Sequence, residues 1–183
     1  MLIAISEGNL ELREAGSSPV LAGRFPYSVP TVLSDGRSEV FEARAFGASV
    51  NDGGDIHLLL HHDIDRPMAS RSAGSLKLTD TNEALEFEAT LSAEMRAVGY
   101  VKDFLTILAS GLVGGVSPGF RVSEGGDYVK RVSSGLMRVV KSANLIEISA
   151  VTKPAYPAAQ IEARSWNITG PKFKAKIADR WRR

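Results

Sequence analysis

Residues 74–91 restrict the fold more than any other stretch of this chain. Leu76 and Leu78 alternate with polar residues, Asp80-Thr81-Asn82 supplies turn chemistry, and Leu85, Phe87, Ala89 and Leu91 alternate again. A period of two sends one row of side chains into a core and the other into water, which predicts a β-hairpin. The runs 18–33 (SPVLAGRFPYSVPTVL) and 38–46 (SEVFEARAF), broken by Gly and Pro, extend the strand-rich reading. So do a strand near Met137–Lys141, a turn at 142–144 and a strand over Leu145–Val151, which Pro154 and Pro157 end. One helix interrupts the pattern. From Ser92 as N-cap, apolar residues recur at Met95, Val98, Val101, Phe104, Leu105 and Leu108, and Gly111 offers a stop. The expected class is mainly β with flanking helices.

A chain of 183 residues, 44% hydrophobic and 23% charged, has the size and composition of one globular domain. No internal repeat divides it. Residues 1–162 read as a single unit and residues 163–183 as a flexible basic tail. In that tail Arg164, Lys172, Lys174, Lys176, Arg180, Arg182 and Arg183 face only Asp179, although the whole chain carries a net charge of only +1. Such a tail can meet an acidic protein surface or nucleic acid, or simply stay solvated. No apolar run is long enough to span a bilayer, and MLIAIS lacks the basic start and apolar length of a signal peptide. The chain is therefore expected to stay where it is made, away from membranes. The absence of cysteine removes disulfides, thiolate zinc sites and Cys-His catalysis together.

Three segments carry chemistry. LLLHHD (58–63), GGVSPGF (114–120) and LIEISAVTKPAYPA (145–158) supply a histidine, a serine among glycines and a carboxylate on an apolar strand. A base, a nucleophile and an orienting acid are the parts of hydrolysis by an activated hydroxyl. His57, His61 and His62 are the only histidines, so any imidazole base comes from that one segment. If Ile56–Asp63 is a strand, His62 ends the row Ile56, Leu58, Leu60 at the rim of the core and His61 points the opposite way. The ordinary alternative is a surface or hydrogen-bonded core histidine. A metal site at HHDID is a poor fit: His57 and His61 would lie roughly 13 Å apart along a strand. Asp63 and Asp65 lack a dense oxygen-ligand loop. No metal or cofactor is expected.

Ser117 sits between Gly114-Gly115 and Pro118-Gly119. Glycines permit positive φ and close approach, and amides of a 114–119 turn could receive an oxyanion, although Pro118 has no N–H to give. The ordinary alternative is a plain turn after a helix, and the motif is not the G-x-S-x-G elbow. Glu147 shares a strand face with Leu145, Ser149 and Val151. Buried there it needs a partner such as a histidine; facing outward it needs none.

Together these stretches resemble the prohead (capsid maturation) proteases of HK97-type tailed phages. The matching segments are FPYSVPTV (25–32), EARAFGASV (42–50), LLLHHDIDRPMASRSAGSLKLTDT (58–81), LEFEATL (85–91), GGVSPGFR (114–121) and LIEISAVTKPAYPAA (145–159). The resemblance implies a fold like that of the herpesvirus assembly proteases, a closed or nearly closed β-barrel flanked by helices. By motif position it assigns the catalytic histidine to His62 and the nucleophile to Ser117. Glu147 is the best third member, with Asp63 in reserve, because the second histidine of the herpesvirus enzymes has no counterpart after residue 62. His61 stands where the family often has asparagine. The implied activity is a serine endopeptidase that cuts the scaffold segment of the major capsid protein, and itself, inside the assembling prohead in the host cytoplasm. Arg121 would assist at the oxyanion, and a homo-oligomer is left open. Two other readings compete. One is a non-catalytic capsid assembly or scaffolding component with the same barrel. The other, a nucleic-acid binder, rests on the tail alone and ranks low, since the body lacks a basic stripe interleaved with aromatics.

Overall fold

The computed structural model describes residues 10–15 and 18–152; the basic tail at 163–183 and the prolines 154 and 157 lie outside the described residues. Strands dominate, as the alternation predicts, and they form three sheets of four strands each. The first contains β1 (Leu10–Ala15), β2 (Ser18–Pro26), β7 (Leu76–Asp80) and β8 (Ala84–Thr90) in the order β1-β2-β8-β7, all antiparallel. The hairpin read from residues 74–91 is its β7–β8 pair, in which Leu76 faces Ala89 and Leu78 faces Phe87. The second sheet runs β10 (Asp127–Val132), β11 (Gly135–Val140), β4 (Arg37–Phe41), β3 (Thr31–Ser34). The third runs β6 (Asp63–Ser70), β5 (His57–Leu60), β12 (Ala143–Val151), β9 (Gly115–Val122). No sheet closes on itself among the described residues: each has two edge strands, so strand pairing does not form the closed barrel that the resemblance implied.

One core serves all three sheets. Phe25 from β2, Phe41 from β4, Phe46 and Phe120 from β9 form a continuous aromatic cluster. Phe41 meets Phe120 edge-on at 5.0 Å between centroids and stacks on Phe46 at 5.4 Å. Such offset and T-shaped contacts add to the large apolar area these rings remove from water. Phe46 also begins the short helix α1 (Gly47–Asn51), whose Ser49 Oγ accepts the Leu145 N–H at 2.9 Å and so fastens α1 to the start of β12.

The single helix expected from Ser92 to Gly111 is two. Ser92 does cap it, accepting the Met95 N–H at 3.2 Å, but α2 (Ala93–Ala97) stops at Val98, which is extended with φ −63° and ψ 132°. The chain restarts as α3 (Gly99–Ala109), with Val101, Phe104 and Leu108 buried. Val98 ends one helix and caps the next, beside Gly99, a residue of low helix propensity. The stop at Gly111 is as read. Its φ of +71°, with Gly111 N–H bonded to Leu108 O and Leu112 N–H to Ile107 O, is the paired-bond C-terminal cap that favours glycine.

Candidate active site

All three chemical segments converge on the third sheet. β12 lies between β5, to which it runs parallel, and β9, to which it runs antiparallel. The core takes Leu58 and Leu60 from β5, Ile148 and Ala150 from β12, and Val116 and Phe120 from β9. Alternation then puts Glu147 and Ser149 of β12, and Ser117 and Gly119 of β9, on the opposite face. The register places Ser117 directly across from Ser149, and Gly119 across from Glu147. Side chains at opposed positions of antiparallel strands stand about 4.5–5.5 Å apart at Cβ.

That phase depends on an irregularity in β12. Leu145 pairs with Phe120 and Glu147 with Gly119, so Ile146 has no partner and the strand bulges there. The extra residue lets Leu145 join the core on the same side as Ile148 and Ala150, while Glu147 turns to the other face. Leu145 and Glu147 therefore do not share a face as an unbroken strand would require.

The histidine segment is a hairpin and not a continuous strand. β5 ends at Leu60 and β6 begins at Asp63, its direct partner, leaving His61-His62 as a two-residue loop. Both residues are left-handed, with φ of 56° and 60°, the mark of a type I′ turn. In a turn the two rings are not assigned to opposite strand faces, so alternation does not choose between them. Hydrogen bonding distinguishes them instead. His61 is exposed and uses its backbone, donating its N–H to Ala150 O at 3.0 Å. His62 donates its N–H to Ser149 Oγ at 2.9 Å, and its ring Nδ1 is hydrogen-bonded to Glu147 Oε1 at 2.6 Å.

Glu147 is held from both oxygens. Oε1 receives the His62 ring, and Oε2 accepts the Ser149 hydroxyl at 2.7 Å. Ser149 is fully buried, and Glu147 is only 9% exposed. A carboxyl group in so closed a place needs hydrogen-bond partners, and it has them. His62 Nε2 is buried as well but makes no hydrogen bond. The imidazole is therefore fixed through Nδ1 and leaves Nε2 open on the side away from the acid. Ser117 is buried too, on the strand face that also carries Ser149 and Glu147.

Gly119 is explained by the same geometry. A Cβ built on it would lie 2.0 Å from Glu147 Oε1, so no other residue fits without displacing the carboxylate. The reading of GGVSPGF as a turn is corrected: residues 115–122 are strand β9, and Gly114, Gly115 and Gly119 do not take positive φ. The oxyanion role given to amides of a 114–119 turn loses that basis. Arg121 shares the Ser117 face but is exposed and two residues beyond Gly119.

Other candidates lie apart from this site. Asp63, the reserve acid, serves its own strand: Oδ1 accepts the Asp65 N–H at 3.0 Å and Oδ2 lies 3.2 Å from Arg66 Nε. His57 has its Nε2 3.7 Å from Asp55 Oδ2. Three Ser72 and Ser70 donors hold the Asp55 carboxyl below the usual range, the Ser72 N–H first among them. Among the described residues, no group of three or more His, Asp or Glu side chains could share a metal ion. Ser149 is the participant that sequence reading missed. It was visible only as a residue on the same strand face as Glu147.

A family model described as Caudovirus prohead serine protease matches residues 22–171. The chain belongs to this family. Membership supports a serine protease acting in capsid maturation, with capsid protein as substrate in the assembling prohead. Comparison with curated proteins and with solved structures gives no match. No helix among the described residues of this prohead protease family member is long and apolar enough to cross a membrane.

Proposed function

We propose that the protein is a serine endopeptidase in which Ser117 is the nucleophile, His62 the general base and acid, and Glu147 the orienting carboxylate. The observation that carries this reading is the 2.6 Å bond from His62 Nδ1 to Glu147 Oε1, which leaves a buried, unbonded Nε2. An acid on Nδ1 fixes the tautomer in which Nε2 is an acceptor, the state that can take a proton from a hydroxyl. Ser117 stands on the same face, across from the serine that the His62 N–H touches.

In the proposed cycle Ser117 Oγ attacks the scissile carbonyl as its proton passes to His62 Nε2. The imidazolium, stabilised by Glu147, then returns that proton to the leaving amine. Water enters by the same route, and His62 activates it to release the acyl group from Ser117. Hydroxyl and imidazole are not bonded in the free protein, and such contacts commonly tighten only when substrate binds.

The substrate we assign is the scaffold segment of the major capsid protein, followed by the protease itself. The likeness to HK97-type prohead proteases and to the barrel of herpesvirus assembly proteases belongs to this proposal. So do the division into a protease domain at 1–162 and a basic tail at 163–183, and the recruitment of that tail to acidic scaffold. Co-expression with the capsid gene of the same particle tests the function. A shortened capsid protein should accumulate and should disappear with Ser117→Ala; a capsid protein that stays full length with the wild-type enzyme would overturn the reading.

A further inference from the structure

Ser149 makes two hydrogen bonds through a single buried hydroxyl. Its Oγ accepts the His62 N–H at 2.9 Å and donates to Glu147 Oε2 at 2.7 Å, while Glu147 Oε1 meets the His62 ring at 2.6 Å. The bonds close a circuit from the His62 backbone through hydroxyl and carboxylate back to the His62 side chain. Every member is buried or nearly so, and the hydroxyl has no exposed surface on which water could take its place.

Each link does separate work. The His62 N–H belongs to a residue held at φ 60°, and its bond to Ser149 ties that left-handed turn to the central strand of the sheet. The bond to Oε2 stops the carboxylate from rotating about its side chain, so that Oε1 stays aimed at Nδ1. One hydroxyl thereby sets both the backbone that carries the imidazole and the acid that orients it. We infer that Ser149 is a positioning residue of this site, acting through His62 and Glu147 without touching substrate. The inference rests on the catalytic reading of His62, Ser117 and Glu147.

The test uses the full chain and a fluorophosphonate probe, whose maximal rate of acylation reports activation of the nucleophile and whose half-saturation reports access. Ser149→Ala should lower the maximal rate about 10- to 100-fold, the range for outer hydrogen-bond partners. Half-saturation should stay within about twofold of wild type, because nothing that meets the probe has changed. Ser149→Thr and Ser149→Val have the same shape, so any steric cost is common to both. Thr should retain most of the rate and Val should match Ala; equal rates for Thr and Val would overturn the inference.

A second readout does not depend on catalysis. In a Ser117→Ala background with 15N-labelled histidine, the His62 ring should populate mainly the Nδ1–H tautomer, and Ser149→Ala should reduce that population. An unchanged tautomer would sink the role of Ser149 even if acylation slowed. Should wild-type protein not be acylated at Ser117, the catalytic assignment falls, and the tautomer measurement alone decides whether Ser149 positions the His62–Glu147 pair.

Discussion

A histidine in the left-handed region needs a reason, and this protein has two in succession. Left-handed backbone costs a non-glycine residue of order 1–3 kcal/mol and is kept only where the surroundings enforce it. Here the enforcement is visible in the bonds from the His61 and His62 N–H groups to β12. Asparagine is favoured at the first position of such a turn, so His61→Asn is a substitution that the backbone there accommodates. Choosing His62 from strand parity reached the ring that meets Glu147, but the premise was mistaken: LLLHHD reads as unbroken strand because alternation gives no sign that two histidines form a turn. Gly119 is the sharpest test at this scale. Its Cβ would lie 2.0 Å from Glu147 Oε1. Gly119→Ala should therefore cut acylation of Ser117 by about 100-fold or more while circular dichroism still reports a β-fold. Undiminished acylation would mean that the carboxylate has no part in the chemistry.

At the scale of elements, strands and hairpins with a clear apolar alternation were legible, and those without it, like the irregularities, were not. Residues 74–91 announced β7–β8 because one face is wet and the other dry, and Ser92 and Gly111 marked the ends of the helical stretch. The bulge at Ile146 is hidden, since LIEIS continues an apparently regular alternation through it. The break at Val98 is hidden for a similar reason: Val98 fits the apolar period although it is extended. β10 escaped notice because its exposed, charged sequence DYVKRV has no apolar row. What holds β10 to β11 and β4 is partly ionic. Arg138 on β11, 2% exposed, bonds Asp127 Oδ2 at 2.6 Å and Glu39 Oε2 at 3.1 Å. Removing one partner of a buried ion pair costs about 3–5 kcal/mol, so Arg138→Ala should lower unfolding free energy in urea by that amount. A loss below about 1 kcal/mol would show that the pair matters little to the second sheet.

For the molecule as a whole, the division of labour runs across the third sheet. One face feeds a core shared with the other two sheets through Phe25, Phe41 and Phe120; the opposite face carries Ser117, Glu147 and Ser149. A site built on adjacent paired strands suits chemistry in which misplacement by about 1 Å can cost 100-fold in rate. The assembly of that site could not be read from the chain, because laying β5 beside β12 brings His62 to a carboxylate 85 positions away, and nothing in the local pattern of either segment names the other as its neighbour. The tail belongs to this scale as well. Deleting residues 164–183 should leave acylation of Ser117 intact and reduce incorporation of the enzyme into proheads; normal incorporation would end its proposed recruiting role.

The central claim is that His62 activates Ser117. It is tested most directly by treating purified protein with a fluorophosphonate and mapping the adduct by peptide mass spectrometry. A single modification is expected, on Ser117, lost in His62→Ala and kept in His61→Asn. Labelling that survives His62→Ala, or that falls on another serine, would contradict it.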